Sequence, residues 1–192
     1  MSSTNVMIVG VGGQGTLLAS RVLGHALVAQ GYDVKVSEVH GMSQRGGSVV
    51  TYVKYGDRVD SPVVELGEAD VILAFERLEA ARALPYLRQN GTLLVNDREI
   101  DPMPVITGAA QYPEGILEKI HAAGANVLAI DAMALAVEAG SPKAVNVVLL
   151  GLLSKHLPFD EAVWQQAMNE VVPPKFLELN RRAFALGRAA AE

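Results

Sequence analysis

Cysteine does not occur anywhere in the 192 residues. That absence excludes disulfides, thiolate nucleophiles and cysteine-ligated iron–sulfur clusters from this chain. An excess of positive charge is missing too: 16 Lys and Arg against 21 Asp and Glu give a net charge of −5. A nucleic-acid partner, which selects for clustered cations, is not expected. No uncharged apolar run approaches the ~20 residues that span a bilayer. The first five residues, Met-Ser-Ser-Thr-Asn, lack a basic region leading to a small-residue cleavage site, so the expectation is a cytoplasmic chain with no membrane contact. His25, His121 and His156 are scattered without metal-ligand spacing, so no metal site is expected. What the sequence does have is apolar residues, 50% of the total against 19% charged, and part of that excess is expected to face a partner. A chain of this length buries roughly 70% of its unfolded surface, so one core suffices and one domain over residues 1–192 is expected.

Strand and helix patterns alternate. Apolar runs over 6–9, 34–39, 48–55, 71–75, 92–95 and 126–130 read as strands. Helices are expected from 16 to a C-cap at Gly31, and over 77–88, 113–123 and 132–139. Asn90-Gly91 reads as a turn, and Asp101-Pro102-Met103-Pro104 as a loop. Three further helices follow: one opened by Ser141-Pro142 and apolar nearly all round, then 159–171 and 175–191. About eight residues separate the second and third strands, too few for a parallel crossover, so the third should run antiparallel to the second or pair elsewhere. The whole is an α/β sandwich with a mixed, mostly parallel sheet.

Two motifs carry chemistry. Gly10-Val11-Gly12-Gly13-Gln14-Gly15 stands between the first strand and the first helix, where main-chain N–H groups and the helix dipole favour a diphosphate or carboxylate. The same glycines would also suit close packing of strand on helix. His40-Gly41-Met42-Ser43-Gln44-Arg45-Gly46-Gly47-Ser48 follows the second strand and reaches the same end of the sheet. There Ser43, Gln44 and the Arg45 guanidinium sit beside Gly46 and Gly47, and Arg45 is suited to paired hydrogen bonds with an anion. Glu38 stands 23 positions after Gly15, near where a dinucleotide fold keeps an acid for ribose. The short polar loop after it does not fit such a fold. Glu76 and Asp97 follow strands and are read as helix caps. Trp164 and Met168, four apart, are read as a core or interface contact.

These segments, together with Asn146-Val147-Val148-Leu149-Leu150-Gly151, resemble the gamma-type subunits of 2-oxoacid:ferredoxin oxidoreductases, and within them the small beta subunits of the indolepyruvate enzymes. The resemblance covers essentially the whole chain, its middle segment being the most specific. It implies a three-layer α/β/α sandwich like the gamma domain of pyruvate:ferredoxin oxidoreductase. It further implies an accessory role in oxidative decarboxylation of a 2-oxoacid to its acyl-CoA with reduction of ferredoxin. Thiamine diphosphate and the iron–sulfur clusters would lie on a large alpha subunit, with coenzyme A as co-substrate, and no catalytic residue is assigned to this chain. The residues expected at the shared site are Gly12, Gly13, Gln14, Gly15, Ser43, Gln44, Arg45, Gly46 and Gly47. Whether they touch coenzyme A, the substrate or only the partner subunit stays open, as does a homodimer of the isolated chain. A stand-alone NAD-dependent dehydrogenase and a nucleotide-binding regulatory module are the alternatives.

Overall fold

The computed structural model describes residues 3–40 and 47–191. Its centre is a six-stranded sheet in the order β2-β3-β1-β4-β5-β6. The strands are β1 (Thr4–Val11), β2 (Asp33–His40), β3 (Ser48–Gly56), β4 (Ala69–Ala74), β5 (Leu87–Asn96) and β6 (Asn126–Ile130). β3 runs antiparallel to both β1 and β2, and β1, β4, β5 and β6 are parallel neighbours. Of the two arrangements that the short β2–β3 connection allowed, the antiparallel pair is the one present. It is followed by direct insertion of β3 between β2 and β1.

Alternation along each strand builds two apolar layers from one sheet. Val6 and Ile8 of β1 with Val71 and Leu73 of β4 face one side, joined there by Leu23, Leu27, Leu149, Trp164 and Phe184. Met7 and Val9 with Ile72 and Ala74 face the other, against Ala80, Ala83, Ile116 and Ile120. The first layer holds α1 (Thr16–Ala29), α5 (Ala132–Ala139), α6 (Val145–Ser154), α7 (Glu161–Val171) and α8 (Leu177–Ala189). The second holds α2 (Arg77–Ala83) and α4 (Ile116–Ala122), and a one-turn helix, α3 (Met103–Ile106), lies in the long β5–α4 connection. All ten residues of α6 are buried, because the sheet lies beneath it and α8 crosses over it. That answers its apolar circumference. Trp164 and Met168 are fully buried in the same layer, so their spacing marks core.

Several boundaries differ from the sequence expectation. The helix expected over 77–88 ends at Ala83, continues as a 3₁₀ turn over Leu84–Tyr86, and gives way to β5 at Leu87. Pro85 has no N–H to continue an α-helical ladder. Asn90-Gly91 does not separate two elements but lies inside β5, where Asn90 takes φ 63° and the register against β4 slips from Ala69↔Leu87 to Val71↔Thr92. The proline-rich 101–104 segment is not all loop: Pro102 caps α3 and Pro104 occupies its first turn, where a missing N–H costs nothing. Pro113 stays outside α4, which begins after Gly115. The helix after Ser141 opens with a 3₁₀ turn over Pro142–Ala144, and the last helix with another over Pro174–Phe176.

Candidate functional site

β1 delivers the chain to its carboxyl end at Val11, and the glycine turn then feeds α1. The Gln14 side chain folds back beneath the turn. Its Oε1 accepts the Val11 N–H at 2.6 Å and its Nε2 donates to the Phe75 carbonyl, just past β4, at 3.0 Å. Asn96 at the end of β5 donates to the same carbonyl at 3.2 Å and accepts the Ala132 N–H at 3.1 Å. Three strand ends and the start of α5 are thus tied together through amide side chains. Gly15, the residue before α1, has φ 84°, a left-handed conformation that favours glycine. Space forces the same choice, since a Cβ there would stand 2.6 Å from the Asn146 Nδ2. Asn146 in turn donates to the Gly15 carbonyl at 3.3 Å, from the first turn of α6.

The last two residues of the second motif, Gly47 and Ser48, lie beside the first. The Gly12 N–H donates to the Gly47 carbonyl at 2.8 Å, and Val11 stands opposite Ser48 in the β1–β3 register. Ser48 donates to Glu79, a buried carboxylate of α2 that also accepts from Arg82. Of the residues expected at the site, Gly12, Gly13, Gln14, Gly15 and Gly47 are brought together. Ser43, Gln44, Arg45 and Gly46 lie outside the described residues. Within the turn the N–H groups of Gly12 and Gln14 are used internally, while those of Gly13, Gly15 and Thr16 have no partner among the described residues. These are the donors a ligand would meet, at the positive end of a 14-residue helix. Gln14 acts beneath them as their support.

Two clefts flank the turn. One, of about 410 Å³, lies between the turn, the first residues of α1 and the end of β2, where Glu38 and His40 line it. Glu38 accepts from the Thr51 hydroxyl at 3.4 Å. The other, of about 470 Å³, lies between the turn, the end of β5 and the approach to α6, and is lined by Asn96, Arg98, Met133, Lys143 and Asn146. Neither Arg98 nor Lys143 stands out in the sequence, because each is a lone cation in its own segment. Only the ordering of β1 and β5 about β4 brings them to the same turn.

Glu76 is a cap as expected: its Oε2 accepts the Glu79 N–H at 2.9 Å. Its Oε1 also takes the Ile100 N–H at 3.3 Å and the Tyr112 hydroxyl, closing the base of the 100–112 segment. Burial and this carboxylate together push the Tyr112 phenol far above its ordinary range. Asp97 is not a cap. It pairs with Arg77, which also holds Glu99 and is itself held charged chiefly by the Asp97 hydrogen bond. Among the described residues no group of three or more His, Asp or Glu side chains is arranged to hold a metal ion. Nor is any helix among them long and apolar enough to cross a membrane.

The family model for pyruvate ferredoxin/flavodoxin oxidoreductase matches residues 5–190. The chain belongs to this family. It is 45% identical to the indolepyruvate oxidoreductase subunit IorB of Thermococcus kodakarensis, over 100% of this chain and 98% of the relative. Among solved structures, the gamma subunit of a keto/oxoacid ferredoxin oxidoreductase from Geobacter sulfurreducens superposes with a TM-score of 0.73 at 24% identity, covering 98% of both chains. A pyruvate oxidoreductase subunit from Thermotoga maritima gives 0.74 at 20% identity, over 98% of this chain and 97% of that one. Those two likenesses carry the fold. The α/β sandwich is accordingly a fold that this chain shares with both.

Proposed function

We infer that this chain is the small accessory subunit of a 2-oxoacid:ferredoxin oxidoreductase acting on indolepyruvate, and that residues 1–192 form one gamma-type domain. The observation that carries the reading is the likeness to an indolepyruvate oxidoreductase subunit along the full length of both chains. The reaction is oxidative decarboxylation of the 2-oxoacid to its acyl-CoA, with two electrons passed to ferredoxin. A chain without cysteine offers no thiolate ligands for an iron–sulfur cluster, and no acidic-glycine thiamine motif is visible in it. In this proposal both groups belong to a larger partner subunit, and the complex works in the cytoplasm.

The share of this chain is positioning. Thiamine diphosphate supplies the carbanion chemistry wherever it is bound. The residues here present fixed donors to an anionic group of the co-substrate or substrate. Main-chain N–H groups of Gly13, Gly15 and Thr16 do so from the turn, and in this proposal Ser43, Gln44 and Arg45 of the second motif add side-chain donors. Fixed donors of this kind lose little freedom when the ligand arrives. An NAD-dependent dehydrogenase fits less well, because after Glu38 the chain returns as β3 where a dinucleotide fold enters a crossover helix.

The test is co-expression with the large, cysteine-rich chain of the same kind of enzyme. The two should co-purify, and together reduce a low-potential acceptor on addition of indolepyruvate and coenzyme A, while the isolated small chain reduces nothing. Full activity of the small chain alone, or no association between the two, overturns the reading.

A further inference from the structure

The sheet ends on two strands of opposite chemistry. β2 and β6 each have a single neighbour, β3 and β5 respectively. β2 carries Asp33, Lys35, Glu38 and His40, and charges of this kind keep an edge from pairing with a further strand. β6 reads Asn-Val-Leu-Ala-Ile, with no charge, no proline and no slip in its register against β5. None of its five residues is fully buried, although three of them are Val, Leu and Ile. On one face Leu128 and Ile130 are only partly covered by the first apolar layer. On the other, Val127 and Ala129 form a groove of about 520 Å³ with Leu117, Glu118 and His121 of α4.

We propose that β6 pairs antiparallel with β6 of a second copy of this chain, joining two six-stranded sheets into one and closing the two α4 grooves against each other. An antiparallel pair made by a two-fold axis normal to the sheet must set one residue opposite its own copy, because opposed side chains share a face. Leu128 is the middle residue of β6, so an axis there pairs all five: Leu128 with Leu128, Val127 with Ala129, and Asn126 with Ile130. Val127 against Ala129 sets a large side chain on a small one within the groove. Asn126 already donates its amide to the Thr92 hydroxyl at 3.1 Å, so it needs no partner across the axis. The same operation fails on β2, where an axis at Val36 puts Val34 opposite Glu38 and an axis at Ser37 puts Val36 there. α4 adds charge complementarity. Glu118 and His121 are exposed at the groove and have no side-chain partner among the described residues. The axis reverses their order on the second α4, bringing Glu118 of each copy toward His121 of the other. The glycine turn follows β1, with β4 and β5 between it and β6, so the dimer leaves that turn open to the large subunit and does not rest on the proposed function.

The test is sedimentation equilibrium of the isolated full chain, which should show a dimer of twice the mass of one chain. A129K, which sets a lysine into the pair at an exposed position, should weaken dimerisation at least tenfold while leaving the melting curve of a folded chain. H121E, which turns two Glu–His contacts into Glu–Glu contacts, should weaken it too, and the exchange E118K/H121E should recover most of the loss. L128C gives a second readout. The chain has no other cysteine, and residues opposed across an antiparallel pair lie within disulfide range. L128C should therefore form a cross-linked dimer on oxidation, reversed by a reductant, whereas V36C on the other edge should not. If L128C does not fold, A129K and H121E carry the test, both standing at exposed positions. A wild-type chain that stays monomeric up to about 100 μM, or a dimer that A129K and H121E leave intact, overturns the proposal. So does a monomeric wild type whose binding of the large subunit is abolished by A129K, since the edge then belongs to a strand of that subunit.

Discussion

His156 follows α6, and its Nε2 is buried without a hydrogen-bond partner among the described residues. Burial disfavours the imidazolium and holds its pKa below the ordinary value of 6.5. Below that value the unfolded chain takes up the proton more readily than the folded one, so the stability His156 contributes is intact at pH 7.5 and is lost as the pH falls past about 6.5 toward the folded-state value. Wild type should therefore lose stability relative to H156Q between pH 7.5 and 5.5, read from denaturant midpoints at each pH. A constant difference across that range would exclude the linkage. Gln14 illustrates what single residues do and do not reveal in sequence. Its place in a glycine turn marks it as part of the site, but both ends of its amide are engaged by Val11 and Phe75, the latter 61 positions away. Nothing in a turn motif encodes a partner at that distance. Glu76 was legible as a cap because that bond is local, whereas its hold on Tyr112 is not.

At the scale of elements, the crossing of α6 and α8 is made by two glycines. A Cβ on Gly151 would lie 2.1 Å from the Phe184 carbonyl oxygen, and one on Gly187 1.8 Å from that of Val148. Each contact is with backbone, so neither can be relieved by a rotamer change and the helices must separate. G151A or G187A should each cost about 3 kcal/mol or more, at or above the usual range for overpacking. Chemical denaturation reads the loss directly, and a change within about 0.5 kcal/mol would show that the helices slide apart freely. The crossing also gives a physical reason for the Asn146-to-Gly151 segment: its first residue braces Gly15 and its last admits α8. The direction of β3 was legible to the extent that connection length forbids a parallel return beside β2; that it pairs with β2 and not elsewhere was not. Asn90-Gly91 misled because a left-handed residue serves a bulge inside a strand as well as a turn between elements. Gly187, in a helix of otherwise ordinary composition, carries no signal until α6 is placed against it.

Across the whole molecule, both apolar layers draw on the same strands. Val6 and Ile8 belong to one layer and Met7 and Val9 to the other, and the same division runs through β4 and β5. A layer cannot dissolve while its strands stay paired, because those strands would then expose one full apolar face to water. The chain should accordingly unfold as one cooperative unit in spite of its two cores. Trp164, fully buried in the first layer, provides a fluorescence probe, and far-UV ellipticity reports on both. The two transitions should superimpose in the wild type, in L73A of the first layer and in I72A of the second. Each truncation should cost about 2–5 kcal/mol, with a fall in Tm of roughly 2–4 °C per kcal/mol for a chain of this size. If I72A shifts the ellipticity transition and leaves that of Trp164 where it was, the layers are separate units and the sheet does not couple them. The same coupling would hold the two clefts in fixed relation, since the glycine turn between them is anchored to β1, β4 and α6 at once.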